Sequence, residues 1–217
     1  SYPVVDKSKC TNCGICIQHC PAINTEFKKQ PPIKDAYLLK SKYAKESASG
    51  GVFSQIAEYI IQNNGYVVGA IWNEDFLPEL VVTNNLEDIS KMQGSKYVES
   101  TTGNSYTITK ELLENGETVL FSGLPCQIAG LYTFLEKDYT NLITMELLCH
   151  GVGSTKAFKK YITFANKLFK KNIIDLKIQN SQDMVTIYFD DKSQITEKVS
   201  DNSYLKLYLP GKIHKIC

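Results

Sequence analysis

The chain has 217 residues, 43% of them hydrophobic, and a formal net charge of +1. It is long enough to bury a sizeable core, and its bulk charge favours neither nucleic acid nor an acidic membrane surface. All 24 basic residues are lysine, so any phosphate is held by lysine, hydroxyls or backbone amides and never by a guanidinium fork.

The first element is the run Cys10-Thr11-Asn12-Cys13-Gly14-Ile15-Cys16-Ile17-Gln18-His19-Cys20-Pro21. Its cysteine spacings, closed by a proline, are the bacterial ferredoxin pattern for a 4Fe-4S cluster. The short spacings let Cys10, Cys13 and Cys16 converge on one cube, and Gly14 permits the turn beneath it. Cys20 leads away toward another cluster. Zinc is the competing metal, but its sites usually take cysteines as two separated pairs. His19 reads as a solvated loop residue rather than a ligand. With four of seven cysteines so clustered, the pattern predicts metal chemistry in a reducing, cytoplasmic compartment. No apolar run of about 18 residues predicts a membrane span.

Residues 24–34, with Pro31-Pro32, read as a linker, and residues 35–43 as a strand. Val52, Phe53, Ile56, Tyr59 and Ile60 mark an amphipathic helix. Ser49, Gly50 and Gly51 sit at its N-terminus, where bare amides and the helix dipole attract phosphate; a ligand-free serine-glycine cap is the competing reading. Strands are predicted over 65–72 and 79–83, and helices over 86–92 and 104–115. Between those helices Gly94, Ser95, Lys96 and Tyr97 supply a flexible backbone, a hydroxyl, a cation and an aromatic. That set suits a flavin or nucleotide, and equally a surface turn.

Residues 117–151 read as strand, glycine-proline turn, helix, strand and turn. Gly123 and Pro125 close the first strand, and Ile128, Leu131, Tyr132 and Leu135 repeat at helical spacing. Such a crossover is right-handed and makes the strands parallel. Both following turns then open on one sheet edge, where ligands of open α/β sheets bind. Cys126 and the pair Cys149-His150 are therefore expected to face one crevice. The helix dipole favours a Cys126 thiolate; a small buried hydrophobe is the bland alternative.

The next helix places Phe158, Tyr161, Ile162, Ala165, Leu168 and Phe169 on one face. Lys156, Lys159, Lys160, Lys167 and Lys170 take the other, for an acidic partner or for solvent. A β meander over 173–180, 184–190 and 193–199 and a short helix or turn over 202–209 follow. The predicted class is α/β: a mixed, largely parallel sheet flanked by helices, with an N-terminal half-ferredoxin segment and a C-terminal β meander.

The cysteine run, Ser49-Gly50-Gly51, Gly94-Ser95-Lys96-Tyr97, the block Gly123-Leu124-Pro125-Cys126-Gln127 and Cys149-His150-Gly151 occur in this order. Together they resemble the family of beta subunits of the coenzyme F-420 hydrogenases and dehydrogenases, over nearly the whole chain. The resemblance implies an iron-sulfur flavoprotein oxidoreductase, in which 4Fe-4S clusters and FAD pass electrons to a two-electron acceptor. It divides the chain into a cluster segment with linker, 1–34, and an FAD-binding α/β domain, 35–217. Ser49 to Gly51, Gly94 to Tyr97, Gly123 and Gln127 would line the flavin site. Cys126 and Cys149 would be cluster ligands or redox thiols, and His150 would donate a proton or hydrogen bond near the flavin or else be a packed turn histidine. A redox partner, either ferredoxin or a hydrogenase- or dehydrogenase-like subunit, is implied, together with a small-molecule acceptor. Family members often carry a second cysteine run upstream and a further cysteine pair beyond a residue like Cys217, so both ends read as cut. A non-flavin iron-sulfur relay subunit and a redox-inactive binding module are the rival readings.

Overall fold

The computed structural model describes residues 4–20, 23, 34–179, 183–208 and 214–215. Most of the expected linker over 24–34, the meander turn at 180–182 and Cys217 lie outside them.

The short helix α1 (Ile15–Gln18) follows Gly14, which has a φ of 75°. Then α2 (Val52–Gln62) packs beside β1 (Tyr66–Trp72) and α3 (Leu86–Met92), with β2 (Pro78–Thr83) between the last two in sequence. After α4 (Ser105–Glu114), β3 (Val119–Gly123), α5 (Pro125–Leu135) and β4 (Leu142–Glu146) form the expected β-α-β unit. The sheet order is β2-β1-β3-β4. β1, β3 and β4 are parallel, and β2 is the antiparallel edge strand.

Alternation along these strands builds two cores. Val67 and Leu120 pair in register and face α2 and α3, meeting Ala57, Ile60, Ile89 and Met92. Val68 and Phe121, also paired, face α4 and α5, meeting Leu113, Ile128, Leu131 and Leu135. Each such fully buried Leu or Phe contributes about 1.5–3 kcal/mol.

A third core lies under α6 (Thr155–Phe169). There Phe158, Tyr161 and Ala165 meet Val185, Ile187 and Phe189 of the antiparallel meander β6 (Ile173–Gln179), β7 (Met184–Phe189) and β8 (Gln194–Lys198). After α7 (Leu205–Tyr208), β9 (His214–Lys215) pairs with β5 (Val152–Gly153), a two-stranded contact the sequence pattern does not announce. Tyr204 Oη donates to the Tyr97 carbonyl at 2.7 Å and ties this core to the loop after α3.

Two expectations fail here. Residues 35–43 form no strand, and Tyr37 and Leu38 are 77% and 103% exposed. Apolar side chains alone do not make a strand without a neighbour to share hydrogen bonds. The segment instead wraps the start of α2: Ser41 N–H donates to the Gly50 carbonyl at 2.8 Å and Ser41 Oγ to the Gly51 carbonyl at 2.9 Å. Leu168, expected on the packed face of α6, is 60% exposed. It lies one turn beyond Phe164, which is 55% exposed, so both belong to the lysine side.

Candidate redox site at the carboxyl edge of the sheet

The topology brings four segments to one edge. α2 runs back against β1, so Gly51 lies where the parallel strands end. β2 returns from that edge, so α3 brings Gln93 and Gly94 back to it. The β3–α5 turn and the exit of β4 are there by construction.

Hydrogen bonds join the segments. Gln93 Nε2 donates to Ser54 Oγ at 3.1 Å, and Glu99 N–H to the Gly153 carbonyl at 3.1 Å. Gln127 Nε2 donates to Ser100 Oγ at 2.9 Å, and Leu147 N–H to the Gly123 carbonyl at 3.0 Å.

Cys126 stands in the first turn of α5 and Cys149 three residues past β4; both are exposed and neither is in a disulfide. Gln127 is buried, and its Oε1 accepts the Leu124 N–H at 3.0 Å, capping α5. Tyr106 Oη donates to the Gln127 carbonyl at 2.7 Å, and burial, aided by the nearby Cys126, pushes its phenol up to about 12. Ser100 and Tyr106 thus hold the Cys126 turn from elements remote in sequence. Gly151 N–H donates to Cys149 Sγ at 3.4 Å, and His150 is exposed beside it.

The residues expected to hold a cofactor divide into two groups. A Cβ on Gly50 would lie 2.5 Å from the Leu39 carbonyl oxygen, and one on Gly51 would lie 2.6 Å from Ser41 Oγ. Both glycines are therefore required by the chain's own packing. Lys96 is engaged as well. Its ammonium donates to the carbonyls of Lys91, at 3.1 Å, and of Gln93 just past α3, at 3.3 Å, and burial lowers its pKa to about 8. Gly94, at φ 81°, has nothing within 4 Å of where a Cβ would stand. It borders a cavity of about 150 Å³ with Lys45, Glu46, Ser47, Ala48, Lys177 and Tyr188, two lysines against one carboxylate. That space suits a phosphate group rather than a whole dinucleotide. Lys45, Ser47 and Lys177 carry no motif; only the fold gathers them.

The cysteine run lies near the far end of α5. His19 Nε2 is 2.8 Å from Glu136 Oε1, and Nδ1 is 3.0 Å from the Ile15 carbonyl oxygen. Both ring nitrogens have protein partners, as a non-ligand would. Cys10, Cys13 and Cys16 are exposed, and Cys20 is half-buried. The Ile15 N–H, with the Thr11 side chain, holds the Cys13 thiol below its usual range, toward the ligating thiolate. Among the described residues no three His, Cys, Asp or Glu side chains are grouped to hold a metal ion. The donors fit a 4Fe-4S cluster in chemistry, without a preformed cage. Among the described residues no helix is long and apolar enough to cross a membrane.

Two family models match. One describes the C terminus of the coenzyme F420 hydrogenase/dehydrogenase beta subunit, over residues 116–214, and the other a 4Fe-4S dicluster domain, over residues 2–67. The second span holds four cysteines, Cys10, Cys13, Cys16 and Cys20. The coenzyme F420-dependent sulfite reductase of Methanocaldococcus jannaschii is 36% identical over 124 residues, 54% of this chain and 19% of that protein. A subunit of the F(420)H(2) dehydrogenase of Methanosarcina mazei is 29% identical over 219 residues, 96% of this chain and 59% of that one. The chain thus spans less than two thirds of either relative. A chain of the F420-reducing [NiFe] hydrogenase complex from Methanosarcina barkeri shares the fold, with a TM-score of 0.52 at 20% identity, covering 80% of this chain and 65% of its own. By these matches, and by the GLPCQ block and cysteine run they include, the chain is similar to the beta subunits of the coenzyme F420 hydrogenases and dehydrogenases.

Proposed function

We propose that the chain is an iron-sulfur flavoprotein oxidoreductase, which passes electrons between 4Fe-4S clusters and a two-electron acceptor through FAD. In this reading residues 1–34 are the cluster segment and 35–217 the flavin domain. A redox protein or subunit stands on the cluster side, as the M. mazei relative is named a dehydrogenase subunit. The observation that supports the reading most is the gathering of Gly94, Cys126, Cys149 and His150 at one sheet edge, with the cysteine run docked on α5 through His19 and Glu136.

FAD, when bound, exchanges single electrons with clusters and an electron pair with the acceptor. The chain's own residues do the rest. Lys45 and Lys177 neutralise phosphate charge at the small cavity, and Gly94 lets the backbone approach closely. Ser95, Lys96 and Tyr97 follow Gly94 in the chain, outside the residues that line the cavity. Cys126 and Cys149 would ligate a cluster or act as redox thiols, and the exposed His150 imidazole would offer a hydrogen bond at that edge.

Anaerobic purification with an absorption spectrum and acid extraction tests the reading: bound FAD, iron and sulfide are expected together. Clusters without flavin would leave only the electron-relay role.

A further inference from the structure

We propose that the outward face of α6 docks an acidic redox protein, a partner surface that rests on the oxidoreductase reading above. Lys156, Lys160, Phe164 and Leu168 follow one another at helical-turn spacing, with Lys167 beside them. The opposite face, with Phe158, Tyr161 and Ala165, is buried on the meander, so this stripe points outward.

The α6 sequence contains no aspartate or glutamate, in a chain whose net charge is only +1. The positive charge is therefore local. Lys159 reaches Asp75 at 3.6 Å, but Lys156, Lys160 and Lys167 make no ion pair among the described residues. They line a groove of about 810 Å³ that opens to solvent, with Phe164 in its wall. Phe164 and Leu168, 55% and 60% exposed, extend the row of Lys156 and Lys160 with apolar surface beside Lys167. Apolar contact area flanked by charge is what protein interfaces combine.

Two observations select the occupant. The stripe from Lys156 to Leu168 is about 18 Å long at the α-helical rise, the scale of a small protein face. The groove also adjoins the candidate redox edge. Its wall residue Glu99 donates N–H to the Gly153 carbonyl at 3.1 Å, and the next residue, Ser100, accepts from Gln127 beside Cys126. An acidic electron carrier fits both, because small transient interfaces of this kind are steered by opposite charge.

The test uses the full chain and a strongly acidic two-cluster ferredoxin as probe. Binding is measured by biolayer interferometry at about 20 and 200 mM salt, which spans strong to weak electrostatic attraction. The wild type is expected to bind, more weakly at high salt. The triple variant Lys156→Glu, Lys160→Glu, Lys167→Glu should lose roughly tenfold or more in affinity. A control with the same charge change, Lys192→Glu, Lys198→Glu, Lys206→Glu, should bind within about twofold of wild type. Circular dichroism checks that both fold.

Absence of wild-type binding, or equal loss in both triples, overturns the proposal. So does binding to phosphatidylglycerol vesicles in place of ferredoxin, abolished by the α6 triple, since that assigns the face to a membrane. If the reconstituted chain holds neither cluster nor flavin but the α6 triple alone loses ferredoxin, the surface stands and the oxidoreductase reading falls.

Discussion

Gln127 Nε2 and Ser100 Oγ are 2.9 Å apart, joined across 27 residues of chain. The same amide, through Oε1, accepts the Leu124 N–H at 3.0 Å. One buried side chain thus closes the start of α5 and fastens it to the segment after α3. Gln127→Leu leaves a backbone donor and a hydroxyl unmatched, and should lower stability by about 1–3 kcal/mol. Urea unfolding reads this directly. Cys126 should also react faster with a thiol reagent as its turn loosens. An unchanged midpoint with unchanged thiol reactivity would mean that Gln127 does not hold the turn.

The cluster run makes the second prediction. Cys13 is exposed, and a backbone amide favours its thiolate, so it is poised for iron. Cys13→Ala should cut the iron and sulfide acquired on anaerobic reconstitution by one cluster per chain. Equal iron and sulfide in variant and wild type would sink the assignment of Cys10, Cys13 and Cys16 to one cubane.

Lys96 supplies a pH dependence. Burial lowers its folded pKa to about 8, against 10.5 for the ordinary side chain. Between those values the unfolded chain binds a proton that the folded chain does not, so stability rises with pH across the window. Below pH 8 the penalty is fully present; across the whole window it amounts to at most about 3 kcal/mol. Lys96→Met should flatten the difference in unfolding free energy between pH 8 and pH 10. If wild type and variant follow the same pH profile, the ammonium is not held as described.

The cavity beside Gly94 ranks two lysines. Lys96 already serves the carbonyls at the end of α3, whereas Lys177 lines the cavity and is exposed. Lys177→Ala should weaken FAD binding by about 1–3 kcal/mol if its ammonium makes a charge-assisted contact. Lys96→Ala should weaken it less. Isothermal titration at limiting FAD compares them, and full retention in Lys177→Ala would move the phosphate elsewhere.

Which of these features the sequence announces follows from how local their causes are. β1, β3 and the α5 periodicity were legible because β-branched runs and helical spacing act over a few residues. The glycine-proline turn fixed the thiol-bearing end of α5 for the same reason. Residues 35–43 misled, because strand formation depends on a neighbour that composition does not encode. Gly50 and Gly51 read as a phosphate cradle until Leu39 and Ser41 are seen against them. Gln127 is explained by Ser100, and the loop at Tyr97 by Tyr204, 107 residues away. The cavity of Lys45, Ser47 and Lys177 joins the 45–48 loop, the end of α3, β6 and β7, so no spacing rule finds it.

The register of β3 and β4 makes the last prediction. Gly123 pairs with Glu146 in parallel, and Cys126 and Cys149 each lie three residues beyond that pair. Equivalent offsets from adjacent parallel strands, which run about 4.8 Å apart, carry both chains out of the same edge. Both cysteines are exposed, so neither is the small buried hydrophobe that a lone cysteine often is. Cys126 also has the α5 dipole behind it, which favours the thiolate needed to bind iron or to attack a disulfide. The expectation is that the two act as one dithiol. In a chain whose other five cysteines are replaced by serine, one equivalent of a phenylarsine oxide should block both thiols together. Cys126→Ser or Cys149→Ser in that background should weaken the arsenical's capture by roughly tenfold or more, because chelation becomes single attachment. Independent modification of the two thiols, with no loss in either single variant, would place them too far apart to share a redox centre.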